Sequence, residues 1–229
     1  KFSRKHLRKW LRPEKRKVEF PLGLLGSKAQ IQYQPKGVIG VISPWNFPVN
    51  LTFAPMANVF AAGNRAMIKP SEFTEKTSEL MAELISKYYT EEEVAVVTGG
   101  PDVGASFTQL PFDHIIFTGA TSIAHHVMRA AADNLVPLTL ELGGKSPVVL
   151  GKSADLDKAA SRIMAGKTLN AGQICLAPDY AFVPEEKTGD FVGAAQAAVG
   201  KMFPDGKKDN DDYKSIVNQR HYASLSSNL

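Results

Sequence analysis

From residue 37 onward the sequence alternates short runs of branched apolar residues with longer amphipathic stretches, and this alternation leaves few folds open. Residues 37–42, 66–68, 94–97, 114–117 and 138–142 each read as a strand with few polar side chains. Between them lie segments suited to helices: one from the turn at 44–48 to near Gly63, one capped by Thr74 and ending near Tyr88, a short one over 102–109 and one over 121–133. Strand and helix in series give a parallel sheet covered by helices, since parallel strands cannot be joined by a tight turn. Past Gly143-Gly144 the pattern resumes, with a buried-looking strand at 147–150, a helix at 155–169, a strand at 180–183 and an Ala-rich helix at 189–202. The expected fold is α/β, with a domain junction at the paired glycines.

Composition supports a core: 44% of the 229 residues are hydrophobic and 22% charged, which excludes wholesale disorder. No run approaches the roughly 18 apolar residues that a membrane helix needs. The single cysteine, Cys175, cannot close an intrachain disulfide or build a Cys-rich zinc site, and it suits a reducing, cytoplasmic setting. The net charge of +4 divides unevenly: residues 1–17 carry +8 and the remainder −4. A slightly acidic body argues against nucleic acid as a partner. The basic head reads as a solvated helix with Phe2, Trp10 and Leu11 as its buried anchors. A targeting arm and a phosphate-binding arm are the alternatives, although a secretory h-region is absent. Residues 18–36 fit neither α/β unit, and 31–34 alternate like an edge strand, as in an arm used for oligomerisation. Because the first residue is Lys1, and 218–229 reads as a helix just beginning, the sequence is read as a fragment.

In a parallel sheet, ligands bind beyond the carboxyl ends of the strands. Those ends carry Ser43-Pro44-Trp45-Asn46, Lys69-Pro70-Ser71-Glu72, Gly99-Gly100, Thr118-Gly119 and Glu141-Leu142. Neither common phosphate motif fits. No Gly-x-Gly-x-x-Gly occurs, and the position five before Gly144-Lys145-Ser146, where a P-loop needs Gly, holds Thr139. Gly119 and the first amides of the helix from Thr121 could still hold an anion. Glu141 lies in an apolar run, where a buried carboxylate needs a partner or a task. Cys175 alone would read as a small buried hydrophobe. His125-His126 are adjacent on a helix and point apart, so no metal site is expected.

The segments 44–48 (Pro-Trp-Asn-Phe-Pro), 69–72 (Lys-Pro-Ser-Glu), 117–119 (Phe-Thr-Gly), 141–147 (Glu-Leu-Gly-Gly-Lys-Ser-Pro) and 172–175 (Gly-Gln-Ile-Cys) together resemble, in order and spacing, the signatures of the NAD(P)-dependent aldehyde dehydrogenases. The Cys-Leu-Ala-Pro-Asp-Tyr run from Cys175 is most similar to the subgroup acting on fatty and aromatic aldehydes, such as coniferyl aldehyde. The resemblance implies a Rossmann-like nucleotide domain over 37–142 and part of a second α/β catalytic domain over 143–229. It implies Cys175 as the nucleophile, Asn46 with the Cys175 backbone amide as the oxyanion hole, and Glu141 as the base for thioester hydrolysis. Lys69 and Glu72 match adenosine-ribose contacts, and Leu142 a nicotinamide contact. Gly119 and its neighbours Phe117, Thr118, Ala120 and Ile123 match the pyrophosphate loop. Ile42, Pro44, Trp45, Ser71 and Gly99 complete the implied cofactor set.

The same resemblance implies oxidation of an aldehyde to the acid with NAD, or NADP as the alternative, while the arm at 18–36 points to a homodimer of the intact protein. Two departures stand out. The usual Gly-Ser-Thr of the phosphate loop is Gly119-Ala120-Thr121, and the later Glu-x-Phe-Gly-Pro segment is absent. The rival expectation is a nucleotide-binding or assembly module of the same fold without catalysis.

Overall fold

A computed structural model describes residues 2–208 and 210–227. The chain forms two compact units, one running through Glu141 and the other starting at Leu142. The first unit opens with α1 (Phe2–Trp10), followed by a hairpin of β1 (Glu14–Arg16) and β2 (Ala29–Ile31) with Lys15 opposite Gln30. The basic head is thus helical only to Trp10. Pro13 has no N–H to continue a helix, and residues 14–16 pair as a strand. Phe2, His6 and Trp10 recur every fourth residue, so their rings line one helix face, with successive centroids 4.3 and 5.8 Å apart. Phe2, Trp10 and Leu11 are nevertheless 68%, 40% and 41% exposed. The expectation of buried anchors fails because the rings cover one another and not a core. The strand expected at 31–34 lies earlier, where 14–16 can pair with it, and Tyr33 instead donates its hydroxyl to the Glu14 carboxylate.

The sheet of this unit comprises β3 (Val38–Ile42), β4 (Arg65–Lys69), β5 (Val94–Val96), β6 (His114–Gly119) and β7 (Leu138–Leu142). Between consecutive strands run α2 (Pro48–Ala61), α3 (Glu75–Tyr88), α4 (Pro101–Thr108) and α5 (Thr121–Asp133). The spatial order is β5-β4-β3-β6-β7, with β3 parallel to both β4 and β6, and β4 parallel to β5. The chain therefore builds outward from β3 in one direction and then restarts on its other side, which makes the carboxyl ends of β3 and β6 the switch point. Side chains alternate across the pleat. Ile39 and Val41 join Met56 and Val59 of α2, Ile68 of β4 and Ile85 of α3 in one buried cluster. On the opposite face Gly40 admits the Phe112 ring, which packs on Phe107 of α4 at 4.9 Å between centroids. Helices thus cover both faces, as the near-continuous apolar strands anticipate. Thr74 precedes α3 but gives no side-chain cap; Ser71 caps the preceding 3-10 turn by accepting from the Phe73 N–H at 3.2 Å.

In the second unit β8 (Ser146–Val149) runs parallel to β9 (Pro178–Phe182), with Val148 opposite Ala181. The connection is α6 (Leu156–Thr168), which packs on β9 and on α7 (Thr188–Met202); α8 (Gln219–Ser226) follows. Asp155 caps α6 by accepting from the Lys158 N–H at 3.0 Å. The buried strand expected at 147–150 alternates instead: Val149 is exposed and Leu150 buried, because a two-stranded sheet packed on α6 covers one face. Among the described residues no helix is long and apolar enough to cross a membrane.

Candidate active site

The loops at the carboxyl ends of β3, β4 and β6 gather most of the residues singled out from the sequence. Just past β3, the Ser43 N–H donates to the Lys69 carbonyl at 3.1 Å, extending the β3–β4 pairing by one step. The Ser43 side chain is buried, and its Oγ has no hydrogen-bond partner among the described residues. Ile42 ends the same strand, Pro44, Trp45 and Asn46 follow it, and all four are half-buried. Pro48 then starts α2, where its missing N–H costs nothing.

At the end of β4, Lys69 is buried and its Nζ lies 2.9 Å from Glu72 Oε2. A buried ammonium requires such a partner. Burial alone would push the Glu72 carboxyl up, but a hydrogen bond from its own backbone N–H and the Lys69 ammonium outweigh this and hold it below the ordinary carboxylate value. Past β5, Gly99 has φ +145°, and a Cβ there would stand 2.6 Å from a Val103 methyl. The chain can turn this tightly into α4 only with glycine.

At the end of β6, Gly119 approaches Phe117 so closely that a Cβ would lie 2.6 Å from the ring, and Ala120 then stands at the N-cap of α5 with no side-chain cap. The Ala120 carbonyl accepts from Ile123 and Ala124, each at 3.0 Å. The amides of Thr121 and Ser122 precede the first intrahelical bond, and the first turn of α5 holds no acidic residue. These amides flank the switch point and provide partial positive charge for an anion.

Glu141 and Leu142 end β7, the edge strand. Here the sequence expectation is overturned: Glu141 is exposed. Leu138-Thr139-Leu140-Glu141-Leu142 is a strict alternation whose leucines share the half-buried face, leaving Thr139 and Glu141 on the open one.

Cys175 belongs to the second unit and is exposed, not a buried hydrophobe. Three successive residues, Asn170, Ala171 and Gly172, have φ of 51°, 55° and 77°, a left-handed turn that ends the run from α6. A turn closed by the Ala177 N–H donating to the Ile174 carbonyl at 3.2 Å then puts Cys175 and Leu176 at its two corner positions. Just beyond, Asp179 lies 3.5 Å from the Lys145 ammonium and 3.6 Å from that of Lys167, joining the segment before β8 to the end of α6.

The structure thus brings Ile42, Pro44, Trp45, Asn46, Lys69, Ser71, Glu72, Gly99, Phe117, Thr118, Gly119 and Ala120 to the carboxyl end of one sheet, with Ile123 in the adjoining helical turn. Glu141 ends the last strand of that unit, and Cys175 lies in the other. Sequence reading placed Ser43 in a strand-end loop but gave it no role, although its signal was a hydroxyl directly following an apolar strand. It also passed over the side-chain contacts of Gln173, which no spacing reveals. Among the described residues no group of His, Cys, Asp or Glu could hold a metal ion.

Residues 5–229 match the aldehyde dehydrogenase family, and the chain belongs to it. It is 66% identical over 223 residues to a probable coniferyl aldehyde dehydrogenase of Caulobacter vibrioides, covering 97% of this chain and 46% of that protein. It is 56% identical over 225 residues to a coniferyl aldehyde dehydrogenase of a Pseudomonas species, covering 98% and 46%. Among solved structures, Staphylococcus aureus AldH in a substrate-bound state superposes with a TM-score of 0.92 at 38% identity, covering 99% of this chain and 49% of that one. Mycobacterium tuberculosis aldehyde dehydrogenase complexed with NAD+ gives 0.74 at 31% identity, covering 82% and 38%. The chain spans about half the length of these relatives.

Proposed function

We propose that this chain carries the nucleotide-binding part and the nucleophile of an enzyme that converts an aldehyde, NAD+ and water to a carboxylic acid, NADH and a proton. The observation that carries this reading is the placement of the sole cysteine at the exposed corner of a turn, within a chain of the aldehyde dehydrogenase family. The 37–142 segment is the dinucleotide domain and 143–229 part of the catalytic domain. The substrate class is aromatic, with coniferyl aldehyde the leading candidate because two relatives are named for it; a fatty aldehyde is the alternative.

The residues at the sheet's carboxyl end suit a dinucleotide. Glu72, kept ionised by its own backbone N–H and by Lys69, would accept from a ribose hydroxyl and repel a 2′-phosphate, which favours NAD over NADP. The amides at Gly119–Thr121 would take the pyrophosphate. The buried Ser43 hydroxyl, with no partner among the described residues, is free to donate to the bound nucleotide. The cofactor, when bound, supplies the hydride acceptor.

Cys175 attacks the aldehyde carbon through its thiolate, forming a thiohemiacetal. Negative charge then collects on the former carbonyl oxygen, where the Asn46 carboxamide and the Cys175 N–H act as donors and lower the barrier. Loss of hydride leaves a thioester on Cys175. Glu141 takes a proton from water, which attacks the thioester and releases acid and free thiol. The reducing cytoplasm suits a lone reactive thiol.

Assembly as a homodimer is proposed through the hairpin arm, whose turn leaves Phe20, Leu24 and Leu25 at 84%, 80% and 78% exposure. The catalytic reading is tested by Cys175→Ala, which abolishes aldehyde-dependent NADH formation; retained turnover overturns it.

A further inference from the structure

The turn that carries Cys175 is tied to a part of the chain some forty residues later through one side chain. Gln173 Nε2 donates to the Ser215 carbonyl at 3.1 Å and to the Asn170 carbonyl at 3.0 Å, while Gln173 Oε1 accepts from the Val217 N–H at 2.9 Å. The backbone joins in: the Gln173 N–H donates to the Asn170 carbonyl at 3.1 Å, and Asn170 Nδ2 donates to the Gln173 carbonyl at 3.3 Å. Both ends of the Gln173 carboxamide are therefore engaged, and it grips the two backbone groups that flank Ile216. Residues 214–217 form no helix or strand, so this carboxamide supplies pairing that a sheet would otherwise give.

The grip matters because of what it restrains. Asn170 and Ala171 carry side chains in the left-handed region, a conformation that persists only where the surroundings enforce it. Gly172 continues the left-handed path, and the Ile174 N–H donates back to its carbonyl at 2.9 Å. Cys175 follows two residues after Gln173, at the turn corner.

We propose that Gln173 is a positioning residue for Cys175, its carboxamide clamping the nucleophile turn to residues 215–217. The proposal rests on the reading of Cys175 as the nucleophile, but its first test does not depend on that reading. In the full chain, hydrogen exchange is followed at the Val217 and Ala177 amides in the wild type, Gln173→Ala and Gln173→Glu. Gln173→Ala accelerates exchange at least tenfold at both amides while β4 and α3 keep wild-type protection. Gln173→Glu, which keeps volume and an acceptor for Val217 but loses both donated bonds, accelerates Ala177 more than Val217.

The second readout is the partition of kinetic effects in aldehyde oxidation. Because a misplaced reacting atom can cost about a hundredfold, Gln173→Ala lowers kcat ten- to a hundredfold and shifts KM for NAD and aldehyde less than twofold. Unchanged exchange at Ala177, in either variant, overturns the clamp. Accelerated exchange with kcat unchanged overturns its role in positioning. Turnover that survives Cys175→Ala refutes the nucleophile instead and leaves the exchange result standing.

Discussion

Lys69 Nζ and Glu72 Oε2 stand 2.9 Å apart across the single turn that joins β4 to α3, with the lysine buried and the carboxylate at the rim. Because the folded state depresses the Glu72 carboxyl, its contribution to stability is full above the ordinary carboxylate range and is lost as pH falls through the depressed value. Glu72→Gln destabilises the chain by about 1 kcal/mol near neutral pH, at the upper end for a partly exposed pair. Urea denaturation as a function of pH shows the gap between wild type and variant closing in acid. A gap that stays constant from pH 7 to pH 3 contradicts the pairing.

Ser43→Ala removes a buried hydroxyl that has no partner among the described residues. An unsatisfied buried group costs free energy, so without nucleotide the variant melts at or above the wild-type temperature. If the hydroxyl donates to the cofactor, NAD affinity measured by calorimetry falls about three- to tenfold, the worth of one neutral hydrogen bond. Unaltered affinity rules out that donation.

Gly40→Ala isolates a packing constraint at the sheet centre. The added Cβ would lie 2.8 Å from the Phe112 ring, itself pressed on Phe107. Overpacking of this kind costs about 1–3 kcal/mol. It appears as a lower urea midpoint, and a midpoint equal to wild type shows that Phe112 moves aside freely.

Glu141→Gln separates hydride loss from thioester hydrolysis. With thiol and oxyanion donors intact, the variant gives a first-turnover burst of NADH followed by a steady rate reduced about a hundredfold or more, within the range for loss of a general base. Rapid-quench kinetics reads both phases. A steady rate like that of the wild type removes Glu141 from the role.

Leu24→Asp tests the arm. The side chain is 80% exposed beside the similarly exposed Leu25, so a charge there leaves the monomer fold intact and, on the proposal that this arm forms a dimer, shifts sedimentation from dimer to monomer. An unshifted profile moves the interface elsewhere.

The order of strands and helices was readable from the sequence because it rests on local pattern: short continuous apolar runs for buried strands such as Val38–Ile42, and a period near 3.6 for helices such as Glu75–Tyr88. The motif residues were readable for a related reason, since loops at strand ends must turn with Gly, Pro and polar groups. Exposure was harder. Glu141 looked buried within an apolar run, yet the alternation of that run and its place on the edge strand leave the carboxylate open. Phe2 and Trp10 looked like anchors but pair along their own helix.

The sequence by itself determined the alternation of strands and helices from residue 37 onward and the motif segments by which the chain resembles its family. Tertiary structure alone decided that the strand order switches sides at β3, that Ser43 is enclosed without a partner among the described residues, and that Gln173 grips residues 215–217. The reason is physical. Periodicity is set by neighbours three or four residues away, whereas strand order, burial and a side chain's hydrogen-bond partner depend on which distant segments arrive beside it.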